Sequence, residues 1–240
     1  EVFHQAPNDV GVVGSLQYRI DDGQLDHAGI RLNADAKFDH VRTLDDAGGS
    51  TTWAFAVTGA CMLLRKDDFV AAGGFDEGFT NGGEDVDLCF KLRSLGKETY
   101  LATKSRIRHH VSLSRGNTNI QDERNSRRLF SKWRPQIKAA LASVWHDKLS
   151  SGSTVFPELL DGQLSAAFLA DRELAADVLA ESIMSREEAH WVRLLGDIGD
   201  TSLPPELFAV EGLVPATMLG ELKVAGRAVF TFTGVSRASN

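Results

Sequence analysis

Cysteine is scarce in this chain of 240 residues: only Cys61 and Cys89 are present, and they form no Cys-x-x-Cys pair. Each sits inside an apolar pattern, so buried free thiols in a reducing compartment are expected rather than a disulfide staple. No run of about 18 apolar residues occurs, which speaks against a membrane-spanning helix. Glu1 to Asp9 is polar and shows no positive segment followed by an apolar stretch, so no signal peptide is expected. Positive charge is short as well. Against 33 Asp and Glu stand 26 Lys and Arg, a formal net charge of -7 that disfavours wholesale coating of nucleic acid. Asn-x-Ser/Thr is absent, in keeping with a cytoplasmic protein.

Several enzyme signatures are missing too. There is no Gly-x-Gly-x-x-Gly, no phosphate loop ending in Gly-Lys-Ser/Thr, no Gly-x-Ser-x-Gly elbow and no His-Glu-x-x-His. A calcium loop starting at Asp76 fails, because the second position after it is Gly78 where a side-chain oxygen is needed.

What remains is ordinary for a globular protein. Hydrophobic residues make up 42% and charged residues 25%, and the length suits one large or two small domains. Val10 to Ile20 reads as a strand interrupted by Gly11 and Gly14 and ended by the turn Asp21-Asp22-Gly23. Trp53 to Leu64 reads as a buried strand, and Lys66 to Ala72 as a short helix stopped by Gly73-Gly74. From Glu84, the spacing of Leu88, Cys89, Leu92 and Leu95 predicts a helix that ends at Gly96. Thr99 to Ile107 is strand-like. Asp122 to Trp145 is helical, with Pro135 kinking or restarting it.

That last helix carries Arg124, Arg127, Arg128, Lys132, Arg134 and Lys138, a solvated face on the plain reading and a peripheral membrane contact on another. After a linker near residues 148–153, Leu159 to Leu195 is apolar at helical spacing, and Ser185 with Glu188 predicts a capped helix start. A hairpin over Leu222 to Val235 is expected. The resulting domain division is 1–150 and 151–240.

The densest group of reactive side chains is Gly73-Gly74-Phe75-Asp76-Glu77, Glu84-Asp85-Val86-Asp87-Leu88 and His109-His110. Acids in a first helical turn are stabilised by the dipole, by about 0.3 to 1 kcal/mol each, so Glu84, Asp85 and Asp87 have a structural reading. Asp85 lies above Leu88 and Cys89, on the apolar side, and Asp87 points elsewhere. A carboxylate so placed qualifies as a general base. His109 and His110 follow a strand and alternate sides, so only one faces a given cleft; a satisfied histidine and a metal ligand are both open readings.

Val57-Thr-Gly-Ala-Cys-Met-Leu-Leu-Arg65, Gly73-Gly-Phe-Asp76, Glu84-Asp-Val-Asp-Leu88 and His109-His-Val-Ser-Leu-Ser-Arg115 together resemble family 2 glycosyltransferases. So do Val10-Gly-Val-Val-Gly14, Asp22-Gly23 and His27-Ala-Gly29, giving an ordered match from about Val10 to Gly116. The resemblance implies an α/β fold of the GT-A (Rossmann-like) kind, a nucleotide-sugar donor, a carbohydrate or lipid-linked acceptor, polysaccharide biosynthesis, and a divalent metal, commonly Mn2+ or Mg2+. It implies Asp85 as the catalytic base of an inverting transfer, with Glu84 orienting it or touching the acceptor. Thr58, Gly59 and Ala60 match the pocket floor, and Gly74, Phe75 and Asp76 the loop beside it. His109 matches a position that completes metal coordination, with His110 as the alternative; Ser114 and Arg115 match a loop that closes over the donor diphosphate.

Relatives of this kind carry an upstream nucleotide-binding half with an Asp-x-Asp, whereas only Glu1 to Asp9 precedes the match here. Asp85-Val86-Asp87 has that spelling but belongs to a helix in another motif. The expectation is a partial GT-A sandwich lacking its N-terminal half, followed by a mostly helical C-terminal region, and inactive by itself. The rival reading is a non-catalytic carbohydrate-binding or assembly module that reuses the fold.

Overall fold

A computed structural model of the chain describes residues 9–44, 51–110, 119–151 and 171–197. The chain divides into two compact units, one of Glu1–Leu32 and Phe38–Trp133, the other of Asn33–Lys37 and Arg134–Asn240.

The first unit is built on a mixed sheet. Its strands are β1 (Val10–Arg19), β2 (Leu25–His27), β5 (Thr51–Trp53), β6 (Met62–Leu64) and β7 (Glu98–His109); β3 (Ile30–Leu32) and β4 (Phe38–His40) form a separate antiparallel ribbon. The order is β2-β1-β7-β5, with β6 pairing β1 along its other half. Only β1 and β7 run parallel. A parallel pair needs a long crossover, and here that connection contains α1 (Lys66–Ala71) and α2 (Glu84–Ser94).

Strand β1 is buried from Val10 to Gln17, in keeping with its apolar residues Val10, Val12, Val13 and Leu16. Its pairing with β7 shifts register at Gly11, as an interruption there would require, but the strand runs on through Gly14, contrary to the sequence expectation. The reason is close packing: a Cβ on Gly14 would lie 2.5 Å from Val57 Cγ1. Trp53 to Leu64 is likewise not one strand. It is β5, a single bridge at Ala56, a turn at Gly59-Ala60, and then β6.

Helix α2 begins after Gly83, whose φ of 92° is left-handed, with Glu84, Asp85 and Asp87 in its first turn and Lys91 and Arg93 in its last. Both charge placements complement the helix dipole. It ends at Gly96, φ 72°, where Gly96 N–H donates to Arg93 O and Lys97 N–H to Leu92 O, each at 3.0 Å. That pair of bonds is a Schellman closure. Its buried Leu88, Cys89, Phe90 and Leu92 each contribute on the order of 1.5–3 kcal/mol where the side chain is large. Cys89 is a free thiol whose pKa burial pushes up to about 11, so it behaves as a small hydrophobe; Cys61 is also free but only half-buried.

Helix α3 (Asn119–Ser150) leaves helical geometry at Trp133, φ -123° and ψ 22°. The break precedes Pro135 by two residues, where the ring lacks an N–H and disfavours helix in the residue before it. Residues after the break belong to the second unit with α4 (Arg172–Asp197). Ile137, Leu141 and Trp145 of α3 and Leu179, Ile183, Met184 and Trp191 of α4 are its buried large side chains. Arg134 is shared by Glu188 at 2.7 Å and Glu181 at 2.6 Å. Ser185 does not start a helix. It sits inside α4 with its Oγ 3.5 Å from Glu181 Oε1.

The α/β class with a helical region following it is as expected. No described helix is long and apolar enough to cross a membrane. Residues 152–170 and the expected hairpin lie outside the described residues.

Candidate functional site

Asp85 stands at the start of α2, half-buried. Its Oδ1 accepts the N–H of Val86 at 2.8 Å and its Oδ2 the N–H of Gly59 at 3.0 Å. The second bond ties the helix mouth to the turn between β5 and β6. Thr58 is half-buried, whereas Gly59 and Ala60 are exposed on that turn, and Ala60 N–H donates to Thr58 Oγ1 at 3.4 Å. Glu84, beside Asp85, has one buried oxygen, Oε2, with no hydrogen-bond partner among the described residues.

Thr58 N–H in turn donates to Nε2 of His27 at 3.3 Å. His27 is buried, and its ring meets that of His40 edge-on at 4.8 Å. Burial, reinforced by His40 and His109, lowers its pKa to about 3, so the imidazole is neutral. His109 is half-buried at the end of β7, its Nε2 3.9 Å from Oδ2 of the buried Asp26. His110 is exposed. The fold therefore bonds Asp85 to Gly59 and the neighbouring Thr58 to His27, whose charge state His109 also influences.

Gly74, Phe75 and Asp76 are docked elsewhere on the helices. Gly74 O accepts Lys91 Nζ at 2.8 Å, and the exposed Phe75 packs edge-on to Phe69 at 5.4 Å. Asp76 accepts the N–H of Gly78 at 2.9 Å, Arg128 Nη2 at 2.9 Å and Lys132 Nζ at 3.0 Å. Burial works against its ionisation, but those three donors outweigh it and hold the carboxyl well below the usual range. Its charge is thus engaged by the protein itself. Ser114 and Arg115 lie outside the described residues.

Asp87 reverses the expected sides of the helix. It is fully buried, whereas Asp85 is only half-buried. Trp133 Nε1 donates to its Oδ1 at 2.7 Å, Lys132 Nζ lies 2.7 Å from the same oxygen and Lys91 Nζ 2.9 Å from Oδ2. The only sequence hint was Lys91 at i+4. Of the basic helix residues, Arg128 and Lys132 are paired with Asp76, and Arg134 and Lys138 with acids of α4. Arg128 and Lys132 are exposed, in keeping with a solvated face, whereas Arg134 and Lys138 are half-buried.

A divalent cation needs converging donors. Among the described residues no three His, Cys, Asp or Glu side chains form such a group, and His109 has the carboxylate of Asp26 beside it. The described residues alone do not make a complete metal site.

No protein-family model matches the chain. Over 125 residues, 48% of this chain, it is 32% identical to the O-antigen biosynthesis protein RfbC of Myxococcus xanthus, and that match spans 10% of RfbC. Over 124 residues, again 48% of the chain, it is 32% identical to the uncharacterized protein y4gI of Sinorhizobium fredii (strain NBRC 101917 / NGR234), spanning 14% of it. The chain thus corresponds to a small part of each of these relatives. A crystal structure of GalNAc-T7 with UDP, GalNAc and Mn2+ aligns with 62% of this chain and 30% of its own, at 16% identity and a TM-score of 0.43, too slight for residue correspondences. The quoted motifs and the sequence relationship together mark a glycosyltransferase-like domain in about half of the chain.

Proposed function

We propose that the first unit is the acceptor side of an inverting GT-A glycosyltransferase of family 2, with Asp85 as the general base. The observation that carries the reading is the seating of Asp85. Its two oxygens are each held by one backbone N–H, at 2.8 and 3.0 Å. A carboxylate has about four lone-pair positions, so two remain for an incoming hydroxyl. Glu84 is the second carboxylate at the helix start, assigned to orient the base or to touch the acceptor. Thr58, Gly59 and Ala60 form the adjoining wall.

In the proposed reaction the acceptor oxygen attacks the anomeric carbon of the donor sugar and its proton passes to Asp85. The bond from that carbon to the diphosphate oxygen breaks, and the nucleoside diphosphate leaves. Attack opposite the leaving group inverts the anomeric centre. His109 is this chain's candidate ligand for the divalent cation that the resemblance implies, whose role when bound would be to supply positive charge near the leaving diphosphate. Arg115 is assigned to the diphosphate on sequence alone. The name of the Myxococcus relative supports a polysaccharide or its lipid-linked precursor as the acceptor.

The test is Asp85→Asn in the full-length protein, assayed for nucleoside diphosphate release from a panel of nucleotide-sugars. Loss of the base lowers kcat by about 10²- to 10⁴-fold with unchanged circular dichroism. Turnover equal to wild type would falsify the assignment and favour a binding or assembly role.

A further inference from the structure

His27 lies 31 positions before Thr58 and has no part in the proposed chemistry, yet it is the buried acceptor for the backbone N–H next to the one that holds the base. Its Nε2 accepts Thr58 N–H at 3.3 Å, and the next residue's N–H, that of Gly59, holds Asp85 Oδ2 at 3.0 Å. Two consecutive backbone donors of one turn are thus committed in series, one to an imidazole beneath and one to the carboxylate. The ring is placed by β2, whose His27 pairs with Gln17 of β1, and by the edge contact with His40.

From this geometry we infer that His27 is a positioning residue: as a neutral acceptor it sets the Thr58-Gly59 turn, and through it the orientation of the Asp85 carboxylate. The inference rests on the reading of Asp85 as the base.

Several features fit that role. Nε2 must be unprotonated to accept the Thr58 N–H, which places the ring hydrogen on Nδ1, a buried atom with no protein partner among the described residues. The groups around the ring are His40 and His109, with Asp26 beside His109 and Arg42 beside Asp26. Gly59 is exposed, so no packing on its solvent side fixes the turn, which is held by these two bonds and the longer one from Ala60 N–H to Thr58 Oγ1 at 3.4 Å.

The experiment compares His27→Gln, which keeps a neutral side-chain acceptor, with His27→Leu, which removes it, in the full-length protein. His27→Leu is expected to lower kcat on the order of 10-fold with donor KM unchanged, the size of one lost hydrogen bond, and His27→Gln to recover most of that loss. In an Asp85→Asn background, His27→Leu adds no further loss, because it acts through the base. Amide exchange of residues 55–62, followed by mass spectrometry, accelerates in His27→Leu and not in His27→Gln.

Equal additional loss in both backgrounds, or exchange that His27→Leu leaves unchanged, overturns the inference. If Asp85→Asn itself retains full activity, the reading of the base fails first. The exchange result then still decides whether His27 sets the turn.

Discussion

The indole Nε1 of Trp133 donates to Oδ1 of Asp87 at 2.7 Å, at the residue where helix α3 leaves helical geometry. The same ring stacks on Phe90 at 5.3 Å and 16°. Asp87 and Phe90 both belong to α2, so one aromatic side chain locks the helix that carries the proposed base. Lys91 and Lys132 neutralise the buried carboxylate, and Lys132 also reaches Asp76.

Asp87→Asn leaves the largely buried Lys91 without its charged partner, while the exposed Lys132 keeps Asp76. Weakening the hydrogen bonds of a buried carboxylate to charged donors costs about 1.5–3 kcal/mol. Urea unfolding followed by tryptophan fluorescence is expected to show that loss. A change within 0.5 kcal/mol, roughly the scatter of surface substitutions, would contradict the account.

Asp76 makes the stability of this unit sensitive to acid. Its folded pKa is depressed below the ordinary 3.8, so its contribution is complete above the unfolded value of about 3.9 and is lost as pH falls through the folded value. Asp76→Asn is therefore less stable than the wild type at pH 7, and the gap narrows as the pH drops below about 4. A gap independent of pH would show that the clamp is not ionic.

Gly83 sets the entry of α2, with a φ of 92° and with Phe79 ring atoms 3.0 and 3.1 Å from where a Cβ would lie. Gly83→Ala is expected to cost on the order of 1–2 kcal/mol and to slow transfer roughly 10-fold, because it tilts the turn bearing Asp85. Gly96→Ala is the control. It has φ 72° at the other end of the helix with nothing within 4 Å, and it is expected to lower Tm while leaving kcat alone.

Much of α2 was legible in advance. Acids at its start, apolar residues at helical spacing and Gly96 at its end are local signals, and each rests on dipole, periodicity or backbone freedom within a few residues. Strand β1 was legible for the same reason. The single strand expected over Trp53 to Leu64 was not found, because Gly59 and Ala60 form an exposed turn, and the N–H groups of Thr58 and Gly59 are taken by His27 and Asp85 rather than by a strand partner. Ser185 had a capping pattern, but burial of Ile183, Met184 and Trp191 carries α4 straight through it.

The order of the motifs, the acids clustered near residue 85 and the glycines around them are properties of the chain alone, since each depends on neighbours in sequence. Which acid is buried against Lys132 and Trp133, which meets the turn at Gly59, and which histidine lies beneath that turn were decided by contacts 26 to 46 positions apart. Such contacts arise only when strand pairing and helix packing bring those segments together. The same physics that buries Asp87 in full leaves Asp85 half-open beside it.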